Sequence, residues 1–362
     1  MSGAPAPSAT PHLFGQSAAE NVLMRAWRSG RLPHAWLLTG PRGVGKATLA
    51  FRFARALLAG PAEAVACQEP SHPIFRMVAN GAHPDLRVLI IPTDPKTGKR
   101  KTEIPVDLVR DAAEALRVTA SRGGARVLLV DAADDLNRNA ANALLKLLEE
   151  PPPGVVLLLI GQRPGLLPQT IPSRCALLRL HPLDESAMRQ GLAALTPDTA
   201  PDLLEQALAG AEGSLGRAMD LLQGDWLKTY AVLLDSLARG REALGPRLEA
   251  AELLSRWAQK QAQVEPGSGV TAAAGLLGTV LRRAARTAAG RPPAAELVPG
   301  EGARLAALAP VLGLDRSVAL WDKLHALAGR VEGLNLDPLQ AFLQIVQDVT
   351  DGRPTSPEPI AG

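Results

Sequence analysis

Gly40-Pro41-Arg42-Gly43-Val44-Gly45-Lys46 follows directly on the apolar run Ala35-Trp36-Leu37-Leu38-Thr39 and opens a helical stretch at 45–58. A strand, a glycine-spaced loop ending in lysine and then a helix together read as a phosphate-binding loop. The glycines let the backbone turn its N–H groups toward an anion, the helix N-terminus adds a positive dipole, and Lys46 reaches the outer phosphate oxygens. One position breaks the pattern. The residue after Lys46 should carry a hydroxyl for Mg²⁺ and is Ala47. Thr48 comes one residue late, about 100° around the helix.

Outward from this loop, short apolar runs at Leu86–Ile91, Arg126–Asp131, Val155–Ile160 and Ala176–Leu180 alternate with helical stretches near 105–118 and 136–150. Several of the runs are continuously apolar, as strands of a parallel sheet covered on both faces must be. Strands alternating with helices predict an α/β domain. The helix at 136–150 places Leu136, Ala140, Ala143, Leu144, Leu147 and Leu148 on one face, and Pro151 stops it.

Past Pro182 the strand signal ends. Residues 185–222 predict three short helices, broken at Pro197, Pro201 and Gly210–Gly213, and longer helices follow from about 226. Leu244, Leu248, Ala251, Leu254 and Ala258 share a face, as do Trp321, Leu324, Leu327 and Val331. A last helix opens at Asp337-Pro338, a cap with proline at the first helical position. The expected organisation is a tail at 1–11, an α/β domain at 12–182, a small helical domain at 183–224, an all-helical domain at 225–352 and a second tail at 353–362.

Length and composition set the outer bounds. The 362 residues suit two or three domains. Hydrophobic residues are 46% and charged residues 21%, ordinary globular usage, while only 3% are aromatic, so the cores must be aliphatic. Two cysteines exclude a disulfide framework and a four-cysteine metal site, and suit a reducing compartment. A net charge of +3 cannot by itself establish nucleic-acid binding. No apolar run approaches a membrane span and no secretory signal is visible, so a cytoplasmic location is expected.

Val127-Leu128-Leu129-Val130-Asp131 is an apolar strand ending in an acid, the place where phosphate-loop ATPases help to hold their metal. Beyond it, Ala133-Asp134-Asp135-Leu136-Asn137-Arg138-Asn139-Ala140-Ala141-Asn142-Ala143-Leu144-Leu145-Lys146-Leu147-Leu148-Glu149-Glu150-Pro151-Pro152, then Pro168-Gln169-Thr170-Ile171-Pro172-Ser173-Arg174-Cys175, and upstream Gly30-Arg31-Leu32-Pro33-His34-Ala35-Trp36, resemble subunits of bacterial clamp loaders. These belong to the AAA+ family, and the likeness is to the delta-prime type of DNA polymerase III. It spans about residues 12–222, and is weaker over 226–352, where it rests on helical character and Asn335-Leu336-Asp337-Pro338-Leu339-Gln340. The resemblance implies an AAA+ phosphate-loop domain, a helical lid and an all-α C-terminal collar. It also implies a place in a five-subunit assembly that puts the sliding clamp on primed DNA, with gamma/tau motor subunits and a delta subunit as partners and no membrane.

Against the motor pattern of that family the chain departs three times. Ala47 replaces the magnesium hydroxyl, Ala132 replaces the glutamate that polarises water, and in Gly213-Ser214-Leu215-Gly216-Arg217-Ala218 a glycine stands at the sensor arginine, with Arg217 displaced by one. The resemblance therefore implies a degenerate nucleotide site of Gly40, Gly43, Gly45, Lys46, Thr48, Asp131, Gln162 and Arg217, with no bound metal. No cofactor is required, and weak metal-free ATP or ADP binding through Lys46 is compatible with it. Arg174, flanked by Ser173 and Cys175, is implied to project into a neighbour's ATP site, where a permanently charged guanidinium stabilises the γ-phosphate.

The rival expectation is an active ATPase, a motor subunit or an independent remodeller, in which Thr48 and Asp134 or Asp135 replace the lost groups. Zinc, which relatives hold between the first helix and the second strand, is not expected here. Only Cys67, with His72 and His83 nearby, falls in that region, and Cys67 reads as a small buried thiol. Cys175 reads as packing, Lys96–Lys101 as a solvated basic loop, and the tryptophans as core or interface fillers.

Overall fold

The structure, a computed structural model, describes residues 6–94, 101, 103–117, 124–162, 167–222, 225–241, 243–264, 269–334 and 337–351. Its contacts divide the chain into two compact units: one formed by residues up to Pro92 together with Glu103–Asp220, and one formed by Thr93–Thr102 together with the residues from Leu221 onward. The helical segment after Pro182 thus groups with the sheet.

The first unit is a five-stranded parallel sheet of β1 (Ala35–Thr39), β2 (Leu86–Ile90), β3 (Arg126–Asp131), β4 (Val155–Gly161) and β5 (Ala176–Arg179), in the order β2-β3-β4-β1-β5. The three central strands are buried almost without interruption, whereas the edges β2 and β5 alternate with exposed positions. That gradient is what burial of both sheet faces demands of central strands and spares the edges. Around the sheet lie α1 (Ser17–Arg28), α2 (Lys46–Ala59), α3 (Pro73–Ala79), α4 (Val106–Ala115) and α5 (Arg138–Glu149). Ala35, Leu37, Leu128, Val130, Leu157 and Leu159 form one face and pack on Val109 and Ala112 of α4 and Ala140, Leu144 and Leu147 of α5. The alternate residues of the strands face the other side, where α2 packs on β3 and β4. Asn137 caps α5, its side chain accepting from Ala140 N–H at 2.8 Å.

Helices α6 (Glu185–Leu195), α7 (Pro201–Ala211) and α8 (Leu215–Leu222) follow, as the sequence predicts. Sequence reading gave no helix at α1 or α3. It also assigned residues 1–11 to a tail. Residues 1–5 and 352–362 lie outside the described residues, but residues 6–11 are fastened down. Pro7–Ala9 forms a 3₁₀ turn. Fully buried Arg55 donates to the carbonyls of Ser8 at 2.9 Å and Thr10 at 3.1 Å, and Arg52 donates to Pro11 O. A buried guanidinium must find acceptors, and this peptide supplies them.

From Leu221 onward the regular elements of the second unit, among its described residues, are helices: α9 (Trp226–Arg239), α10 (Leu244–Val264), α11 (Gly269–Ala288), α12 (Glu301–Leu308), α13 (Leu314–Leu334) and α14 (Pro338–Thr350). Asp337 caps α14, accepting from Leu339 N–H at 2.9 Å, as its sequence predicts. The expected stripe on α10 divides: Ala251, Leu254 and Ala258 are buried, but Leu244 and Leu248 are exposed. Gly278 of α11 leaves room for the Trp321 ring, which a Cβ there would meet at 2.4 Å.

Candidate phosphate-loop site and the outward arginine

The loop between β1 and α2 holds Gly40, Gly43 and Gly45 at φ of 137°, 78° and 102°, a backbone that side chains other than glycine's rarely allow. Each of its carbonyls from 40 to 44 is taken by a donor of the chain itself. Lys46 Nζ donates to Gly40 O and Pro41 O, both at 2.7 Å. Ser214 Oγ donates to Arg42 O at 2.8 Å, Gly216 N–H to Gly43 O at 3.0 Å, and Gln16 Nε2 to Val44 O at 3.0 Å and His181 O at 2.8 Å. Backbone meets backbone here: a Cβ on Gly216 would lie 2.8 Å from the Gly43 Cα, and one on Gly43 would lie 2.4 Å from Ser214 Oγ.

Lys46 is 5% exposed. Burial pushes its ammonium down from the usual 10.5 to about 8, against the opposing pull of Asp131 and Asp134 and with a small further push from Arg42. A cation neutralised only by carbonyl dipoles and two carboxylates without a direct bond to it is an electrostatic invitation to an anion.

The remaining residues expected at the site are placed as follows. Asp131 ends β3 and is half-buried. Thr48 lies in the first turn of α2. Gln162 follows β4, and its backbone N–H donates to Asp134 Oδ2 at 2.5 Å. Asp135 Oδ2 accepts from Ala132 N–H at 3.4 Å. Arg217 is drawn to Glu212, whose Oε2 lies 2.8 Å from Nη1. The residues do not fit a nucleotide-bound magnesium ion: Ala47 brings no hydroxyl, Ala132 is a buried methyl, and Asp134 and Asp135 are engaged by backbone amides.

Arg174 ends the 3₁₀ turn Pro172–Arg174 just before β5, and its side chain is 37% exposed. Its Nη2 lies 2.8 Å from Glu149 Oε1, and its Nη1 donates to Thr170 O at 3.1 Å and Ser173 Oγ at 3.4 Å. Cys175 packs against the sheet core, and burial pushes its thiol up to about 11, so it is not a ready nucleophile.

Cys67 is fully buried beside Ala56 and Ala64 and donates to Ala64 O. His72 Nδ1 accepts from Ile74 N–H at the start of α3, and His83 Nδ1 accepts from Asp85 N–H. Among the described residues, no group of three or more His, Cys, Asp and Glu is arranged to hold a metal. Lys96–Arg100 lie outside the described residues, and Lys101 is exposed. No described helix is long and apolar enough to cross a membrane. Sequence reading missed Gln16, Ser214 and Glu149; Ser214 and Glu149 stand in the quoted stretches Gly213–Ala218 and Ala133–Pro152, whereas Gln16 carried no signal.

Residues 15–184 match the family described as DNA polymerase III, delta subunit. The chain is 42% identical over 182 residues to the delta-prime subunit of DNA polymerase III from Pseudomonas aeruginosa, a match covering 50% of this chain and 53% of the relative. It is 34% identical over 225 residues to the delta-prime subunit of Escherichia coli, covering 60% and 62%, and 32% identical over 220 residues to the Escherichia coli tau subunit, covering 59% and 32%. The chain thus spans between half and two thirds of the length of the delta-prime relatives. The phosphate loop, the strand ending in Asp131 and the half-exposed Arg174 all fall inside the stretch, residues 15–184, that is similar to this family.

Proposed function

We propose that the chain is a non-hydrolysing, structural subunit of a replicative clamp loader, a stator that helps load the sliding clamp onto primed DNA and lends Arg174 to the ATP site of a neighbouring motor subunit. The observation that carries this reading is a pairing of opposites. The phosphate loop is bonded to its own lysine and to Ser214 and Gly216, with no hydroxyl for magnesium and no glutamate for water, while Arg174 stays open to solvent. Metal stabilisation, water activation and the sensor charge are each aimed at the phosphoryl transition state, and their joint loss leaves negligible turnover.

The partners in this reading are gamma/tau motor subunits and a delta subunit, and, through the complex, the clamp and DNA, in the cytoplasm. The relatives named delta-prime and tau support it over the matched residues. Nucleotide, where it binds, is held weakly through Lys46 and the loop N–H groups, without magnesium chemistry. The rival, an active ATPase using Thr48 with Asp134 or Asp135, is disfavoured because both acids already serve backbone amides.

Two assays test the proposal. The purified chain, beside Lys46→Ala, should hydrolyse no ATP; lysine-dependent turnover at a motor's rate would favour the rival. In a loader reconstituted with gamma/tau and delta, Arg174→Ala should assemble normally and slow the one site it serves by about 10³-fold. An unchanged ATPase in that complex removes the trans role.

A further inference from the structure

Arg174 is not a lone side chain on a loop. Its guanidinium lies 2.8 Å from the carboxylate of Glu149, the last residue of α5, and Thr170 O holds the other terminal nitrogen. A carboxylate at a helix C-terminus faces the negative end of the helix dipole and gains nothing from its own helix. What stabilises it there is the cation brought from the 3₁₀ turn 25 residues further along the chain (174 − 149). Both side chains remain accessible, at 37% for Arg174 and 49% for Glu149. Of the five N–H donors of a guanidinium, Nε–H has no partner among the described residues, so the head can be held on one side while it donates on the other.

We propose that Glu149 is the positioning residue of the trans arginine: it fixes the direction of the Arg174 guanidinium so that the free N–H groups meet the neighbour's phosphate. The inference rests on the reading that Arg174 acts in trans. A long, four-torsion side chain left unheld samples many directions, and misplacement of a reacting group by about 1 Å costs up to about 10²-fold in rate. A fixed carboxylate removes that loss without itself touching the substrate.

The test is a double-mutant cycle in the reconstituted complex, with kcat and KM for ATP read separately. Glu149→Ala should lower kcat at the served site by about 10-fold with KM unchanged. Glu149→Gln, which keeps an acceptor but not the charge, should fall between Ala and the parent. In an Arg174→Ala background, Glu149→Ala should cost nothing further. The thermal midpoint of the isolated Glu149→Ala chain should stay level or rise, since a charge opposing the helix dipole has gone. Full activity of Glu149→Ala, or an equal loss in both backgrounds, overturns the positioning role while leaving Arg174 in place. Full activity of Arg174→Ala instead overturns the trans reading itself.

Discussion

Both units bury cations, and Arg283 of the second and Lys46 of the first are treated in opposite ways. In the second unit Arg283 is 1% exposed and Glu301 fully buried, joined by two bonds, Nε to Oε1 at 2.5 Å and Nη2 to Oε2 at 2.9 Å. Tyr230 OH donates to Oε1 at 2.6 Å, Leu297 N–H donates to Oε2 at 2.5 Å, and Nη2 also reaches Ala295 O at 2.7 Å. Charge is matched by charge and both carboxylate oxygens are used, so nothing is left for a ligand. This is a strut tying α9, α11, the 290–300 connection and α12 together. In the first unit Lys46 faces two carbonyls, and its nearest acids act only at a distance. The difference teaches that burial of a charge is not by itself a sign of function. At Lys46 the bonded groups are carbonyls of a glycine loop and no carboxylate is bonded to the ammonium, so an anion would complete its neutralisation.

The largest effect expected from breaking this contrast is in the strut. Arg283→Met leaves the Glu301 carboxylate buried without its counter-ion and should cost about 3–5 kcal/mol of unfolding free energy. Adding Glu301→Leu should recover only part of that cost, since Tyr230 OH and Leu297 N–H then lose their acceptor. Urea titration of the three variants, with hydrogen exchange resolving the helices of the second unit, measures both. A single variant within about 1 kcal/mol of the parent would show that the knot does not support the fold.

The next effect sharpens the account of the loop. Gly43→Ala meets two penalties, a left-handed φ of 78° and a Cβ 2.9 Å from the Gly216 Cα, and should cost about 2–4 kcal/mol. Gly30→Ala, at φ 71° with nothing within 4 Å, meets only the first and should cost about 1–2 kcal/mol. Equal losses in the two variants would mean that the Ser214 and Gly216 segment does not bear on the phosphate loop.

These details mark where the sequence was legible. The central strands could be read because burial on both faces forces a continuous apolar run, as in Val127–Val130 and Val155–Ile160. The phosphate loop could be read because its glycines and lysine fall within one run, Gly40 to Lys46. Its restraints could not: Ser214 bonds Arg42 across 172 positions and Gln16 bonds His181 across 165, and no local pattern announces such partners. Residue 216 shows the limit well. From sequence it is a missing sensor arginine; in the fold it is a glycine because its backbone lies against Gly43, where any side chain would collide. The 6–11 segment was unreadable for the same reason, since its order is supplied by Arg52 and Arg55, more than forty residues away.

The smallest effect is also the most specific to the unfinished site. Because the folded pKa of Lys46 is about 8 and its ordinary value is 10.5, the unfolded chain binds a proton between those values that the folded chain does not. Stability attributable to this group therefore rises as pH climbs from 8 to 10.5, and below 8 the full cost of the buried ammonium is present. Lys46→Met removes that cost but leaves Gly40 O and Pro41 O without their donor, so near neutral pH the variant should lie within about 1 kcal/mol of the parent. By about pH 10 the parent should have gained about 1–3 kcal/mol on the variant. Inorganic phosphate should flatten the parent's slope by giving the ammonium its missing anion, and leave the variant untouched. Parallel pH profiles for the two proteins would mean that Lys46 is as fully neutralised as Arg283, and that the phosphate loop is a strut like the other.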